Sequence, residues 1–179
     1  MVLIPSPDDQ MHTEYAGDWI DRKIIEEVQS KYSGAQITKD MARRWKEQHS
    51  FVGNATPESP VMVDFSIEGK AMTLDITDCV QKACESIVDP IVENVKTLIA
   101  TSNPEYHDQF RRNMILAGGG SGIKGLGAMI ERRLSDLGDV NVHVVDPPLD
   151  LGNGWFELAR EVPGKWKNLT QIKITCLLF

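Results

Sequence analysis

The chain has 179 residues, of which 41% are hydrophobic and 25% are charged, and this composition indicates one folded domain or two small interleaved ones. Its formal net charge of -7 argues against a nucleic-acid interface, which needs clustered Lys and Arg. The cysteines lack zinc-ligand spacing, so we expect buried thiols at Cys79 and Cys84 and a reducing cytoplasm. Residues 1–9 carry no basic leader and no window is long enough to cross a bilayer, so we expect neither a signal peptide nor membrane insertion.

The N-terminal part of the chain is predicted to be mainly helical. A loop extends to Gln10, and residues 11–15 are predicted as a short strand. Asp18 is placed as the N-cap of a helix over 19–31, because a carboxylate there accepts amide hydrogens of the next turn. The apolar residues of this helix recur every four positions, which gives it one buried face. A second helix is predicted from about Thr38.

The next segment has the pattern of a β-hairpin. Residues 51–60 are rich in Gly, Asn, Pro and Ser, which is typical of a loop. Residues 61–67 and 71–76 then alternate apolar and polar side chains with period two. Because Gly69 lies between these two runs, they are predicted to pair as the arms of a hairpin.

A long apolar repeat from Cys79 to Thr101 predicts helix, with Thr77 and Asp78 as its cap. Proline removes one helical hydrogen bond and forces a kink or a restart. Pro90 should therefore divide this region into two helices that meet at the proline. A short polar helix is predicted over 105–112.

The most informative stretch runs from Met114 to Leu126, where an apolar strand pattern leads into a run of glycines and then into a helix around Ile130. Glycines let the backbone approach a ligand, and the helix N-terminus presents N–H groups to an anion, so the pattern favours a phosphate or sugar site. The alternative is a tight turn without a ligand. After that helix, a strand is predicted over 140–145 and a proline break at 147–148. A last helix is predicted over 154–160, and residues 171–179 form an apolar tail without a clear partner.

Two phosphate-loop patterns compete for the interpretation of these glycines. Residues 120–125 satisfy G-x-G-x-x-G, and Asp146 follows the next strand, as in a nicotinamide-dependent oxidoreductase. Such a fingerprint should open its domain and be followed by a second mononucleotide-binding half, yet only about sixty residues follow it here. Residues 150–154 read D-x-G-x-G, but the prolines before them favour a loop and a helix start. The P-loop pattern fails, because neither Ser nor Thr follows Lys124.

With these blocks in order, the chain resembles the C-terminal half of bacterial actin-like ATPases. The likeness covers roughly residues 8 to 170, and its Lys-Glu-Gln-x-Ser-Phe-Val-Gly block is similar to the branch that forms magnetosome-aligning filaments in magnetotactic bacteria. The residues that carry it are Ala16 to Asp21, Trp45 to Gly53, Asp75 to Thr77, Asn103 to Tyr106 and Ala117 to Leu126.

The resemblance implies a mixed α/β fold: the C-terminal half of the actin-like, ribonuclease H-like architecture, with a smaller inserted lobe. Residues 1–15 and 89–165 would form the lobe similar to subdomain 3, which carries the glycine turn. Residues 16–88 would form the lobe similar to subdomain 4, and residues 166–179 would be an atypical tail.

The resemblance also implies an adenosine-binding wall, with ATP or ADP and Mg²⁺ as cofactors. Taken alone, the charges at the end of the second helix are typical of a solvated helix end; the resemblance makes them ligand contacts. Lys46 and Glu47 would flank adenine and ribose, and Gly17 would approach the ribose. The rest of the wall would be Gly118, Gly119, Gly120, Ser121 and Ile123. The metal would be held mainly by the family's first half.

That first half carries the phosphate-binding hairpins, the magnesium-coordinating aspartate and the group that positions water, and none of them is found in this sequence. Because hydrolysis needs an in-line water and neutralised phosphate charge, we expect weak ATP affinity and no ATPase activity from this chain alone. The implied partners are further copies in a filament, a full-length actin-like protein or magnetosome-associated proteins, in the cytoplasm. The alternatives are a non-catalytic module that regulates filaments and, last, the nicotinamide enzyme.

Overall fold

The computed structural model describes residues 15–144 and the strand Cys176–Leu178. Several predictions concern residues outside this description: the proline break, the helix over 154–160, Asp146, and the strand over 11–15 except for Tyr15.

Two helices open the fold and pack against each other. Helix α1, Gly17–Lys31, buries Ile20, Ile24 and Val28 as their spacing predicts. The prediction that Asp18 is its N-cap is wrong, because Ala16 occupies that position and Asp18 lies in the first turn. The carboxylate of Asp18 instead lies 3.2 Å from the ammonium of Lys39 on the next helix.

Helix α2, Lys39–His49, begins where the sequence predicts. Thr38 is its N-cap, and its hydroxyl oxygen accepts a hydrogen bond from the Met41 backbone N–H at 3.2 Å. Ala42 and Trp45 are the buried residues of this helix. Lys46 therefore lies in its last turn, beside α1.

The predicted hairpin is confirmed and forms an antiparallel sheet of order β1-β2-β3. Strand β1 is Ala35–Gln36, and the hairpin arms are β2, Met62–Ile67, and β3, Lys70–Asp75. The two-residue turn places Glu68 at φ 50° and Gly69 at φ 81°, as expected of a turn that needs positive φ at both positions.

Two helices in tandem follow, as predicted: α3, Thr77–Glu85, and α4, Val88–Thr101. They meet at Ser86 and Ile87 rather than at Pro90, which is the third residue of α4. A proline in the first helical turn removes an N–H that has no intrahelical partner, so the break falls one turn earlier. The predicted cap is also displaced: Thr77 is the first residue of α3, and its N–H donates to the Asp75 carboxylate at 2.8 Å.

The glycine region follows the predicted order of strand, turn and helix. A 3₁₀ turn at Pro104–Tyr106 and helix α5, His107–Arg112, lead into β4, Met114–Ala117. The remaining elements are a 3₁₀ turn at Gly119–Gly122, helix α6 at Leu126–Arg133, a 3₁₀ turn at Ser135–Leu137, and β5 at Val142–Val144.

Strand β4 is the centre of a parallel sheet of order β5-β4-β6. Strand β6 is Cys176–Leu178, so part of the tail that lacked a partner in the sequence pairs with β4. All four residues of β4 are buried, as expected of a central parallel strand. Its carboxyl end opens into the glycine turn, and ligands of parallel sheets bind at such ends.

The buried hydrophobic side chains form one core that extends from α1 and the antiparallel sheet to β4 and α6. Among the described helices, none combines the length and the hydropathy that crossing a membrane would require.

Candidate functional site

A pocket of about 320 Å³ opens where three elements meet: the start of α1, the end of α2 and the glycine turn after β4. Ile87, from the junction of α3 and α4, also lines it. The lining residues are Ala16, Gly17, Ile20, Lys46, Glu47, Ser50, Ile87, Gly119, Gly120, Gly122 and Ile123.

Most of the residues predicted from the sequence line this pocket, although they lie as far apart as 17 and 123 in the chain. Gly118 and Ser121 are not among the lining residues. Gly118 has φ 95°, which turns the chain out of β4, and its carbonyl accepts a hydrogen bond from the buried Ser121 hydroxyl at 2.7 Å. These two residues shape the turn from behind the pocket wall.

Five lining residues were missed by the sequence analysis: Ala16, Ile20, Ser50, Ile87 and Gly122. Ala16 and Gly122 adjoin predicted site residues, so their position in the chain was a usable signal. Ile20 and Ile87 carried none, because in sequence they are ordinary members of apolar helix faces. Together with Ile123 they give the pocket an apolar side suited to a planar, weakly polar group.

The ammonium of Lys46 is turned toward α1. Its Nζ lies 2.7 Å from Oδ1 of Asp21 and donates to the Gly17 carbonyl at 2.9 Å. Asp21 is completely buried, and the Nε of Arg43 lies 3.8 Å from its other oxygen. The charge of Lys46 is thus opposed by a buried carboxylate within the protein.

Glu47, unlike Lys46, has a charged group that is not paired within the described residues. Its side chain is exposed, and its carboxylate has no hydrogen bond or ion pair among the residues that the structure describes. A free carboxylate offers acceptor sites for several hydroxyl donors. Glu47 is therefore a hydrogen-bonding group of the pocket that is free to bind a ligand, and it is suited to the hydroxyls of a sugar.

The end of α2 is joined to the glycine turn by backbone hydrogen bonds. The Val52 N–H donates to the Lys124 carbonyl at 2.9 Å, and the Lys124 N–H donates to the Ser50 carbonyl at 3.3 Å. Phe51 pairs with Lys124 as an isolated parallel bridge and is almost fully buried. The block from Lys46 to Gly53 thus has a structural role as well, because it positions the glycine turn.

A second set of contacts holds the loop after this bridge, and we call Gln81, Glu85 and Gly53 the loop clamp. A Glu85 carboxylate oxygen accepts from the Gly53 N–H at 3.0 Å and from the Gln81 side-chain amide at 2.9 Å. The same amide donates to the Gly53 carbonyl at 3.2 Å. Helix α3 therefore fixes the loop on which the bridge depends.

The cysteines behind this region are buried, as predicted. Burial raises the pKa of the Cys84 thiol to about 12 and also raises the pKa of Cys79. Such thiols stay protonated near neutral pH, so neither is an activated nucleophile.

Two alternative chemistries find little support in the geometry. In residues 15–144 no three His, Cys, Asp or Glu side chains are grouped to hold a metal ion. Helix α6 begins at Leu126, after the last glycine of the G-x-G-x-x-G pattern, with a 3₁₀ turn between strand and helix. In a dinucleotide fingerprint the glycines themselves open the helix.

The chain matches known proteins along most of its length. A family model described as Salactin matches residues 9–159. The actin-like protein MamK of Paramagnetospirillum magneticum is 35% identical over 171 residues, which are 94% of this chain and 49% of that protein. MamK of Magnetospirillum gryphiswaldense is 34% identical over 164 residues, covering 91% and 45% of the two chains. The chain thus spans about half the length of these relatives.

Solved structures give the same assignment. A MamK double helical filament superposes with a TM-score of 0.78 and 36% identity, over 89% of this chain and 49% of that one. A non-polymerising MamK mutant bound to AMPPNP superposes with a TM-score of 0.75 and 36% identity, over 82% and 44%. The predicted actin-like fold class is therefore confirmed: the chain belongs to the Salactin family and corresponds to the C-terminal half of a MamK-related, actin-like protein.

Proposed function

We propose that this chain binds the adenosine part of ATP or ADP and supplies one side of the nucleotide cleft of an actin-like filament protein. The observation that carries the proposal is the pocket itself, which unites residues of α1, α2 and the glycine turn that the family resemblance assigns to nucleotide binding. A bound AMPPNP in a similar MamK structure supports it.

The residues of the pocket fit a nucleoside. Gly119 and Gly120 have no Cβ, so the turn lets a ligand approach the backbone closely. The apolar side formed by Ile20, Ile87 and Ile123 suits the face of adenine, and Glu47 would accept hydrogen bonds from the ribose hydroxyls. Gly118 and Ser121 would act indirectly, by shaping the turn.

The phosphates and Mg²⁺ would be held mainly by a first half like that of the family. The part of the chain that the structure describes has no carboxylate cluster for the ion. Mg²⁺ usually binds through one or two carboxylates together with the phosphates of its nucleotide. The contribution of this chain would be to bind and orient the adenosine.

Equilibrium binding of a fluorescent ATP analogue tests the proposal. Glu47→Gln should weaken binding about tenfold, because a hydrogen bond to a charged acceptor is worth about 1.5–3 kcal/mol. Glu58→Gln is the matched control, since Glu58 is an exposed loop carboxylate outside the pocket. Equal affinities of the wild-type chain and both variants would contradict the proposal.

Self-association follows from the family, and we propose that residues 1–15 with 89–165 and residues 16–88 act as the two lobes of a filament subunit in the cytoplasm. Filaments of this kind would organise magnetosomes. Sedimentation with and without ATP tests assembly: polymers pellet on their own, whereas a regulatory half forms none and shortens filaments of a full-length relative. Imaging of a fluorescent fusion along the magnetosome chain tests the cellular role.

A further inference from the structure

Asp21 is a buried charge that the proposed adenosine site does not itself use. It has no exposed surface, and neither carboxylate oxygen has a well-aligned hydrogen bond within the described residues. An isolated carboxylate in such a place costs several kcal/mol, so it persists only with an opposing charge. Lys46, at 2.7 Å, is the nearest such charge.

Two cations of α2 face Asp21, and one of them is shared with Asp18. Arg43 approaches Asp21 at 3.8 Å and Asp18 at 3.6 Å, and it remains half exposed. Lys39 pairs with Asp18 at 3.2 Å. Lys46 is the close and mostly buried partner, with 16% of its side chain exposed.

The second contact of Lys46 joins its ammonium to the backbone of α1. Its Nζ donates to the Gly17 carbonyl, and a Cβ on Gly17 would lie only 3.1 Å from that atom. With one carboxylate and one carbonyl on α1 as partners, the cation is neutralised before any ligand binds. The exposed carboxylate of Glu47 is then the uncompensated charge among the residues that line the pocket.

We propose that Asp21 is a positioning residue that holds the Lys46 ammonium against α1 and thereby lets the pocket bind the nucleoside part of a nucleotide without a preference for its phosphates. This inference rests on the proposed adenosine site and adds its specificity. A lysine beside a nucleotide would ordinarily attract phosphate; here its charge serves to join two helices and leaves its alkyl stem for the wall.

Competition binding of adenosine, AMP, ADP and ATP, without Mg²⁺ and at low salt, tests the inference. The wild-type chain should bind all four within about threefold of one another. Asp21→Asn, which frees the Lys46 charge, should raise the preference for ATP over adenosine about tenfold. Asp21→Asn with Lys46→Met should return that preference to the wild-type value.

A second comparison keeps the test decisive if Asp21→Asn alone does not fold. Lys46→Met should not raise the ratio of ATP to adenosine affinity, because it leaves the Asp21 carboxylate without its close cation. ATP binding more than about tenfold tighter than adenosine in the wild-type chain, with the difference lost in Lys46→Met, would overturn the inference while leaving the adenosine site intact. Failure of all four ligands to bind would overturn the proposed function, and this inference with it.

Discussion

The glycines of the central run perform different tasks that look identical in sequence. Gly125 has φ 82°, and a Cβ there would lie 2.8 Å from the Ala55 side chain and 2.9 Å from the Val52 carbonyl. At Gly122 a Cβ would meet nothing within 4 Å. The first glycine is required by packing and backbone conformation, whereas the second lies at the pocket wall.

Gly125→Ala should therefore lower the free energy of unfolding by about 2 kcal/mol or more, because the added Cβ meets backbone and the positive φ is strained. Gly122→Ala is the matched control and should change stability by less than about 1 kcal/mol. Denaturant unfolding followed by circular dichroism measures both. Similar losses in the two variants would contradict the distinct roles.

Asp75 provides a pH-dependent contribution at the start of α3. Hydrogen bonds from the Thr77 hydroxyl and backbone N–H hold the pKa of this carboxyl below its usual value, against a smaller opposing effect of burial. A lowered pKa in the folded state means that the stabilisation is complete above the unfolded-state pKa, near pH 4, and is lost as the pH falls through the folded value.

Asp75→Asn should therefore reduce the unfolding free energy by about 0.5–1 kcal/mol near pH 7. The difference from wild type should shrink as the pH falls through the lowered pKa of Asp75, where the wild-type carboxylate also becomes protonated. Urea unfolding at a series of pH values measures this difference. A difference that stays constant over the whole range would show that the charge of Asp75 is irrelevant.

The ends of the helices line the pocket, while their buried faces form the core. The segment after α2 is joined to the glycine turn by the hydrogen bonds between Val52 and Lys124. The loop clamp then holds the following residue, Gly53, against α3. The two tandem helices meet at Ile87, which places that side chain in the pocket. The pocket is thus built from helix termini that the core holds in position.

Glu85→Ala should loosen this arrangement, because it removes the acceptor of the Gly53 N–H. We expect a loss of about 1–3 kcal/mol and faster hydrogen exchange at the amides of Val52, Gly53 and Lys124. Exchange measured by mass spectrometry tests the effect. Glu93→Ala is the control, since Glu93 is an exposed carboxylate on α4 outside the loop clamp. Unchanged hydrogen exchange at these amides in Glu85→Ala would show that the loop clamp does not stabilise the glycine turn.

In the proposed function, the chain as a whole supplies one wall of a nucleotide cleft and is expected to bind nucleotide without hydrolysing it. Its parallel sheet directs the carboxyl end of β4 at the pocket, and the antiparallel sheet belongs to the same continuous core. In-line attack needs a positioned water and neutralised phosphate charge, which the adenosine side does not provide.

Phosphate release by the purified chain should therefore not exceed that of a Lys46→Ala, Glu47→Ala double variant. ATP should still raise the melting temperature of the wild-type chain modestly, because a ligand that binds only the folded state stabilises it by mass action. Nicotinamide mononucleotide, which contains no adenosine, is the control ligand and should have no effect. Hydrolysis well above the double variant would contradict the expectation, and protection by NAD but not ATP would favour the oxidoreductase.

Much of the architecture was predictable because periodicity records local burial. The four-residue spacing of Ile20, Ile24 and Val28 predicted α1, the alternation around Gly69 predicted the hairpin, and the run after Ala117 predicted the strand, turn and helix. Errors arose at the helix ends. Ala16, which has no side-chain acceptor, is the N-cap of α1 in place of Asp18, and the Asp75 carboxylate accepts the N–H of Thr77, the first residue of α3.

The sequence by itself determined the helices, the hairpin, the glycine turn and the family resemblance, because each depends on residues close together in the chain. Only the tertiary structure decided that Lys46 faces Asp21 while Glu47 stays free, that Ile87 lines the pocket, and that Gly125 packs against Val52. Which charges pair and which glycines are crowded depends on how helices cross and where loops meet, and no local pattern of residues encodes those distances.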